Sequence, residues 1–147
     1  MLSRIAALVV ALSIVVSACS QDSRIETLEA NPMANASLTF AEPSATRSFE
    51  FTTISNFPNP AGGGVVVEVT FSPIPSELID QGLEELTEQA EVAGFNLRQG
   101  FSGDTSESGP RQEVWESFND QWERLSILLT ENSITVELLV EDESPLE

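Results

Sequence analysis

The chain has 147 residues, with 24 Asp and Glu against six Arg, no Lys, His or Tyr, a single Cys, and a formal net charge of −18. That length suits one domain around one core, and 41% hydrophobic residues, eight of them Phe, argue against wholesale disorder. A chain this negative repels phosphate backbones, so nucleic acid is excluded as an expected partner. One cysteine excludes an intramolecular disulfide.

In chain order, Met1 to Ser3 lead into Arg4, an apolar run from Ile5 to Val16, and then Ser17-Ala18-Cys19. A basic start, a short apolar segment and small residues make the three-part pattern of an export signal. The run falls well short of the roughly 20 residues that a membrane-spanning helix needs. Val16-Ser17-Ala18-Cys19 resembles the lipobox of bacterial lipoproteins. The resemblance covers the first 19 residues and says nothing of the rest. It implies cleavage between Ala18 and Cys19, removal of residues 1–18, and lipid on the Cys19 thiol. Acyl chains contribute about 0.8 kcal/mol per buried methylene, and two or more together hold a protein stably on a bilayer. Ser20 stands where an inner-membrane retention signal would place Asp. By the same resemblance the destination is the periplasmic leaflet of the outer membrane in a Gram-negative cell, or the outer face of the only membrane in a Gram-positive one. After cleavage, five arginines (Arg24, Arg47, Arg98, Arg111, Arg124) face all 24 carboxylates, a net charge of −19.

Residues 19–36 read as the lipidated cysteine and a polar tether, and residues 37–141 as a single domain. Residues 48–54 alternate Phe49, Phe51 and Thr53 against Glu50 and Thr52, a strand pattern. A Pro- and Gly-rich break at 56–64 follows, and then residues 65–71 place Val65, Val67, Val69 and Phe71 on one face of a second strand. Past Pro73 and Pro75, Ser76 is expected to cap a helix whose apolar stripe is Ile79, Leu83, Leu86, Ala90 and Ala93. Gly94 is expected to close it in a left-handed conformation, and Gly82 to allow close approach to the sheet. Residues 95–101 read as a third strand.

Residues 102–109 form a polar loop. From Pro110 a second helix is expected, with Val114, Trp115, Phe118 and Trp122 on one face; the rival reading is a strand pair turning at Asn119-Asp120. Leu125, Ile127 and Leu129 alternate, as do Ile134, Val136, Leu138 and Val140. A turn at Asn132-Ser133 would set Leu129 opposite Val136, Ile127 opposite Leu138 and Leu125 opposite Val140. Residues 142–147 read as an acidic tail. The expected fold is α+β: a mostly antiparallel sheet of about five strands with one or two helices packed on one face.

The missing side chains bear on chemistry. Without histidine or lysine there is no catalytic triad, imidazole ligand, Schiff base or phosphate-loop lysine, and the one thiol is assigned to lipid. Asp104, Glu107 and the Glu141-Asp142-Glu143 run could offer oxygen ligands to calcium, but none has the spacing of a calcium loop, so no metal site is expected. No catalytic residue and no cofactor is expected either. The triple glycine Gly62–Gly64 precedes a strand and lacks lysine, so it reads as a connection rather than a phosphate cradle. Trp115 and Trp122 read as core, and Arg98 and Arg111 as partners of nearby carboxylates. Ending at Glu147 without lysine, the chain is not expected to be joined to peptidoglycan through a lysine amine.

The leading expectation is a non-enzymatic envelope lipoprotein, held to the membrane through Cys19, that binds or supports another envelope protein. The alternatives are a periplasmic small-ligand or cation-binding lipoprotein and a hydrolase working through paired carboxylates. An exposed apolar patch or an unpaired strand edge favours the first, a concave pocket with convergent polar groups the second, and two close, partly buried acids in a cleft the third.

Overall fold

A computed structural model of the chain describes residues 23–52, 63–102 and 111–141. The expected export signal with Cys19, the break at 56–62, Asp104, Glu107, Pro110 and the expected tail from Asp142 lie outside them. Among the described residues the chain forms helix α1 (Ser23–Glu29), a 3-10 turn (Pro32–Asn35), strands β1 (Ala45–Thr52) and β2 (Gly63–Phe71), and helix α2 (Ile79–Val92). Strands β3 (Arg98–Ser102), β4 (Gln112–Phe118), β5 (Arg124–Thr130) and β6 (Ile134–Glu141) complete it. The fold is α+β, with six strands rather than about five.

The sheet runs β1-β2-β6-β5-β4-β3, antiparallel at every pair. After the β1–β2 hairpin, α2 carries the chain to the far edge, and the β3–β6 meander returns to pair β6 with β2. Alternation in β2, β5 and β6 sends Val65, Val67, Val69, Phe71, Leu125, Ile127, Leu129, Ile134, Val136 and Leu138 to one face, where all of them are buried. Ile79, Leu86 and Ala90 of α2, Ile25 and Leu28 of α1, and Met33 join the same cluster, so both helices pack on one face of the sheet. Fully burying each Leu, Ile or Phe there contributes about 1.5–3 kcal/mol.

Four expectations are corrected. Residues 23–36 are not tether: α1 and the 3-10 turn bury Ile25, Leu28, Met33, Ala34 and Ala36 in the core. Ser76 does not cap a helix. It opens a 3-10 turn (Ser76–Leu78) that leads into α2, and neither start has a side-chain cap. The path there is set by Ile74, which is buried while its N–H donates to the Asn132 carbonyl at 2.7 Å. The second helix is absent: residues 112–118 are β4, and the rival strand pair turning at Asn119-Asp120 is the one that forms. In that geometry Trp115 faces the core while Val114 and Phe118 face away from it, so the stripe that united them does not exist. Finally, the β5–β6 turn lies at Glu131-Asn132, one residue earlier than expected. Leu129 therefore meets Ile134, Ile127 meets Val136 and Leu125 meets Leu138. Because each partner moves by two residues, every side chain keeps its face.

The end of α2 is as expected. Gly94 has φ +90°, the Phe95 N–H donates to the Ala90 carbonyl at 2.9 Å, and the Gly94 N–H to that of Glu91 at 3.1 Å, a Schellman cap. Gly82 lies against Ile134 and Phe40. The closest backbone approach is at Gly64 in β2, where an added β-carbon would run into the Val140 carbonyl oxygen and the Phe51 ring. Gly64→Ala is therefore expected to lower stability by about 1–3 kcal/mol in urea titration, the usual cost of overpacking. An unchanged midpoint would contradict this close approach.

Candidate functional site

Among the described residues, no helix or strand covers the second face of the sheet. Register assigns its side chains row by row. One row crosses all six strands as Arg47, Glu68, Glu137, Ser126, Glu116 and Arg98. The next row toward the β4–β5 turn reads Phe49, Val66, Leu139, Arg124 and Phe118. Val66 and Leu139 are buried although they stand outside the core cluster. Phe49 is 37% exposed and Phe118 56%. A charged ladder thus runs beside a mainly apolar one.

The charges are arranged in pairs across strands. Arg47 donates through Nε to Glu68 at 3.1 Å, and its guanidinium carbon lies 5.4 Å from the Phe49 ring centre. Glu68 and Glu137 stand directly opposite each other on β2 and β6. Partial burial, and then the Glu68 charge, push the Glu137 carboxyl above its ordinary value, against the opposing pull of Arg124 and Arg47. Arg124 lies 3.5 Å from Glu141, while its Nε is buried with no hydrogen-bond partner among the described residues. A depression of about 280 Å³ lies over this region, lined by Phe49, Phe51, Val66, Arg124, Glu137, Leu139 and Glu141.

Two facing carboxylates are the raw material of glycoside hydrolysis, yet Glu68 is committed to Arg47 and the pair stands on a shallow open face that encloses no substrate. A larger groove of about 500 Å³ lies between α2 and the N-terminal segment, lined by Pro32, Ser37, Leu38, Thr39, Glu85, Glu88, Gln89 and Val92. Much of its polarity is spent on the fold. Glu85 accepts from the Thr39 hydroxyl at 2.6 Å, Gln81 at 3.0 Å and the Thr39 N–H at 2.8 Å, which holds its carboxyl below the ordinary value. Gln89 closes both backbone groups of Ser37, at 3.0 and 2.7 Å.

The β4–β5 turn is the third feature. Asn119 Oδ1 accepts from the N–H groups of Gln121 and Glu123 at 3.0 and 2.9 Å, and Asn119 Nδ2 donates to Glu123 at 2.7 Å. Glu123 is buried, and the same oxygen accepts from Asn31 Nδ2 at 2.8 Å. Asn31 in turn caps the 3-10 turn through Met33 N–H at 3.0 Å. The network holds Trp122 at φ +62° with 79% of it exposed, edge-on to Phe118 at 6.5 Å. A left-handed conformation costs a side-chain-bearing residue about 1–2 kcal/mol, and in a bulky residue it is an outlier.

The expected core role of Trp122 is thus corrected, whereas Trp115 packs half-buried against the core with its Nε1 unpartnered. Arg111 binds Asp80 and Glu113 at 2.7 and 2.8 Å, as expected of it; Arg98 stands opposite Glu116. Cys19, Ala18, Asp104 and Glu107 lie outside the described residues. Among those described, no three acids converge on a point that could hold a metal ion, and no helix is long and apolar enough to cross a membrane. Glu141 joins Arg124 at the sheet's end. The open-face rows escaped sequence reading because they follow from strand order. The Asn119-Asp120 turn signal was the available pointer to an exposed Trp122.

No known protein family, curated protein or solved structure matches the chain significantly.

The raised Glu137 carboxyl makes a signed prediction. A native carboxyl above its unfolded value binds more protons than the unfolded chain, so its ionisation lowers stability as pH rises through that range. Glu137→Gln is therefore expected to be more stable than wild type at pH 7, with the gap narrowing toward the ordinary carboxyl value of 4.5. Urea midpoints at both pH values measure it; an equal gap at the two would contradict the assignment.

Proposed function

We propose that this chain is an envelope lipoprotein, cut before Cys19 and held to a membrane by lipid there, whose domain is a non-enzymatic module that binds another envelope protein through the open face of its sheet. The observation that carries the reading is that face itself: an apolar row of Phe49, Val66 and Leu139, with Phe49 exposed, beside a row that carries charges of both signs. Apolar area offers the affinity and the charged row the register, the division of labour found at protein interfaces. The alternatives have less support, since the groove beside α2 spends much of its polarity internally and the facing glutamates lie on a shallow surface.

A photo-crosslinking residue at position 49, on the open face, is compared in living cells with one at Glu84, on the exposed side of α2. Position 49 is expected to give one defined protein adduct, identified by mass spectrometry, and position 84 none. Equal labelling at both positions, or none at 49, would contradict the docking face. The intact mass of the same protein is expected to begin at an acylated Cys19, and Cys19→Ser to leave the precursor uncut. An unacylated, processed chain would overturn the anchor without touching the face.

A further inference from the structure

The domain starts much closer to the proposed anchor than a tether through residue 36 would allow. Helix α1 opens at Ser23, four residues after Cys19, and a fully extended chain spans at most about 3.5 Å per residue. The first residue of the helix therefore lies within roughly 14 Å of the acylated position, too short a link to hold the domain clear of the bilayer surface. A link this short keeps the amino-terminal end of the fold beside the lipid headgroups and brings the adjoining folded surface within reach of them.

We infer that Trp122 and Phe118 form a second, side-chain membrane contact that works with the lipid on Cys19. The inference rests on the lipoprotein reading. Of the exposed large apolar side chains among the described residues, Trp122 and Val92 are the most exposed, and Trp122 is an amphipathic ring of the kind enriched at the membrane–water boundary. Its ring is joined edge-on by Phe118, so the two present one aromatic tip. That tip is coupled to the amino-terminal segment: the buried Glu123 carboxylate ties the turn to Asn31, only two residues beyond the end of α1. The turn thus belongs to the same rigid unit that the short link holds at the membrane, and the Asn119 hydrogen bonds on either side of Trp122 hold it in its left-handed conformation.

The charge of the chain selects the lipid. At −19 after cleavage, the protein is repelled by anionic headgroups, so the contact is with zwitterionic lipid. Val92 is more exposed still, but its small aliphatic side chain lacks the amphipathic ring that suits the membrane–water boundary.

The test uses the full lipidated protein in vesicles of phosphatidylethanolamine and phosphatidylcholine, some with brominated acyl chains. Trp122→Phe leaves Trp115 as the only fluorophore, and the difference from wild type isolates Trp122. The Trp122 component is expected to be blue-shifted on vesicles and quenched by the bromines, while Trp115 changes little. A Trp122 component with the emission of water-exposed tryptophan, on protein shown to be bound and acylated by intact mass, overturns the contact and leaves the anchor standing. Absence of acyl mass on Cys19 overturns the anchor and the contact with it. Shielding in native membranes but not in protein-free vesicles assigns Trp122 to a protein partner and also overturns the contact with lipid.

Discussion

The pairing of β2 with β6 holds the molecule together. It joins a hairpin made early in the chain to a meander made at its end, with Val65, Val67, Val69 and Phe71 set directly opposite Val140, Leu138, Val136 and Ile134. Those side chains build the floor on which both helices rest. Because the pairing is long-range, it depends on closing a large loop through α2, and what compensates is the apolar area buried on one face. Among the described residues, the helices cover one side of the sheet. The other side is left to Phe49, Val66, Leu139 and Phe118 among arginines and glutamates, and that is the side proposed to dock a partner.

The charges on that side do not cancel evenly. Glu68 has Arg47, but Glu137 faces Glu68 across the strands and is only partly offset by Arg124, while the Arg124 Nε has no acceptor among the described residues. Like charges directly opposite in a sheet are destabilising, and a buried donor without a partner costs more than a bond merely absent. Such strain in the middle of an otherwise well-packed sheet is consistent with a face completed by something else. At the sheet's end the polar groups are paired instead: Asn31 and Asn119 both donate to Glu123, and Asn119 accepts from the turn backbone and fixes it. One region is braced and the other unfinished, and the two proposed contacts, with lipid and with a protein, divide along that line.

Legibility in the sequence followed how many faces each element buries. Strands β2, β5 and β6 alternate cleanly, so their existence and core face could be read, and misplacing the last turn by one residue changed the pairs without exchanging the faces. Residues 112–118 bury neither face fully, which leaves no alternation, and Val114, Trp115, Phe118 and Trp122 then imitate a helical stripe. Ile25, Leu28 and Met33 are too few and too widely spaced to announce a buried segment among polar neighbours, yet tertiary packing orders them. The candidate site was the least readable part. Arg47, Glu68, Glu137, Ser126, Glu116 and Arg98 form a row only once the order β1-β2-β6-β5-β4-β3 is known, and no local pattern contains that order.

Covalent footprinting tests the central claim most directly, because it reports which face is covered where the protein works. A small carbene or radical reagent is applied to intact cells and to the purified protein, and labelling of Phe49 is compared with that of Val92, which is 89% exposed on the opposite side. Phe49 is expected to be protected in the envelope and labelled once purified, while Val92 is labelled in both. Equal labelling of Phe49 in the two states would mean that the open face has no partner, and would contradict the account.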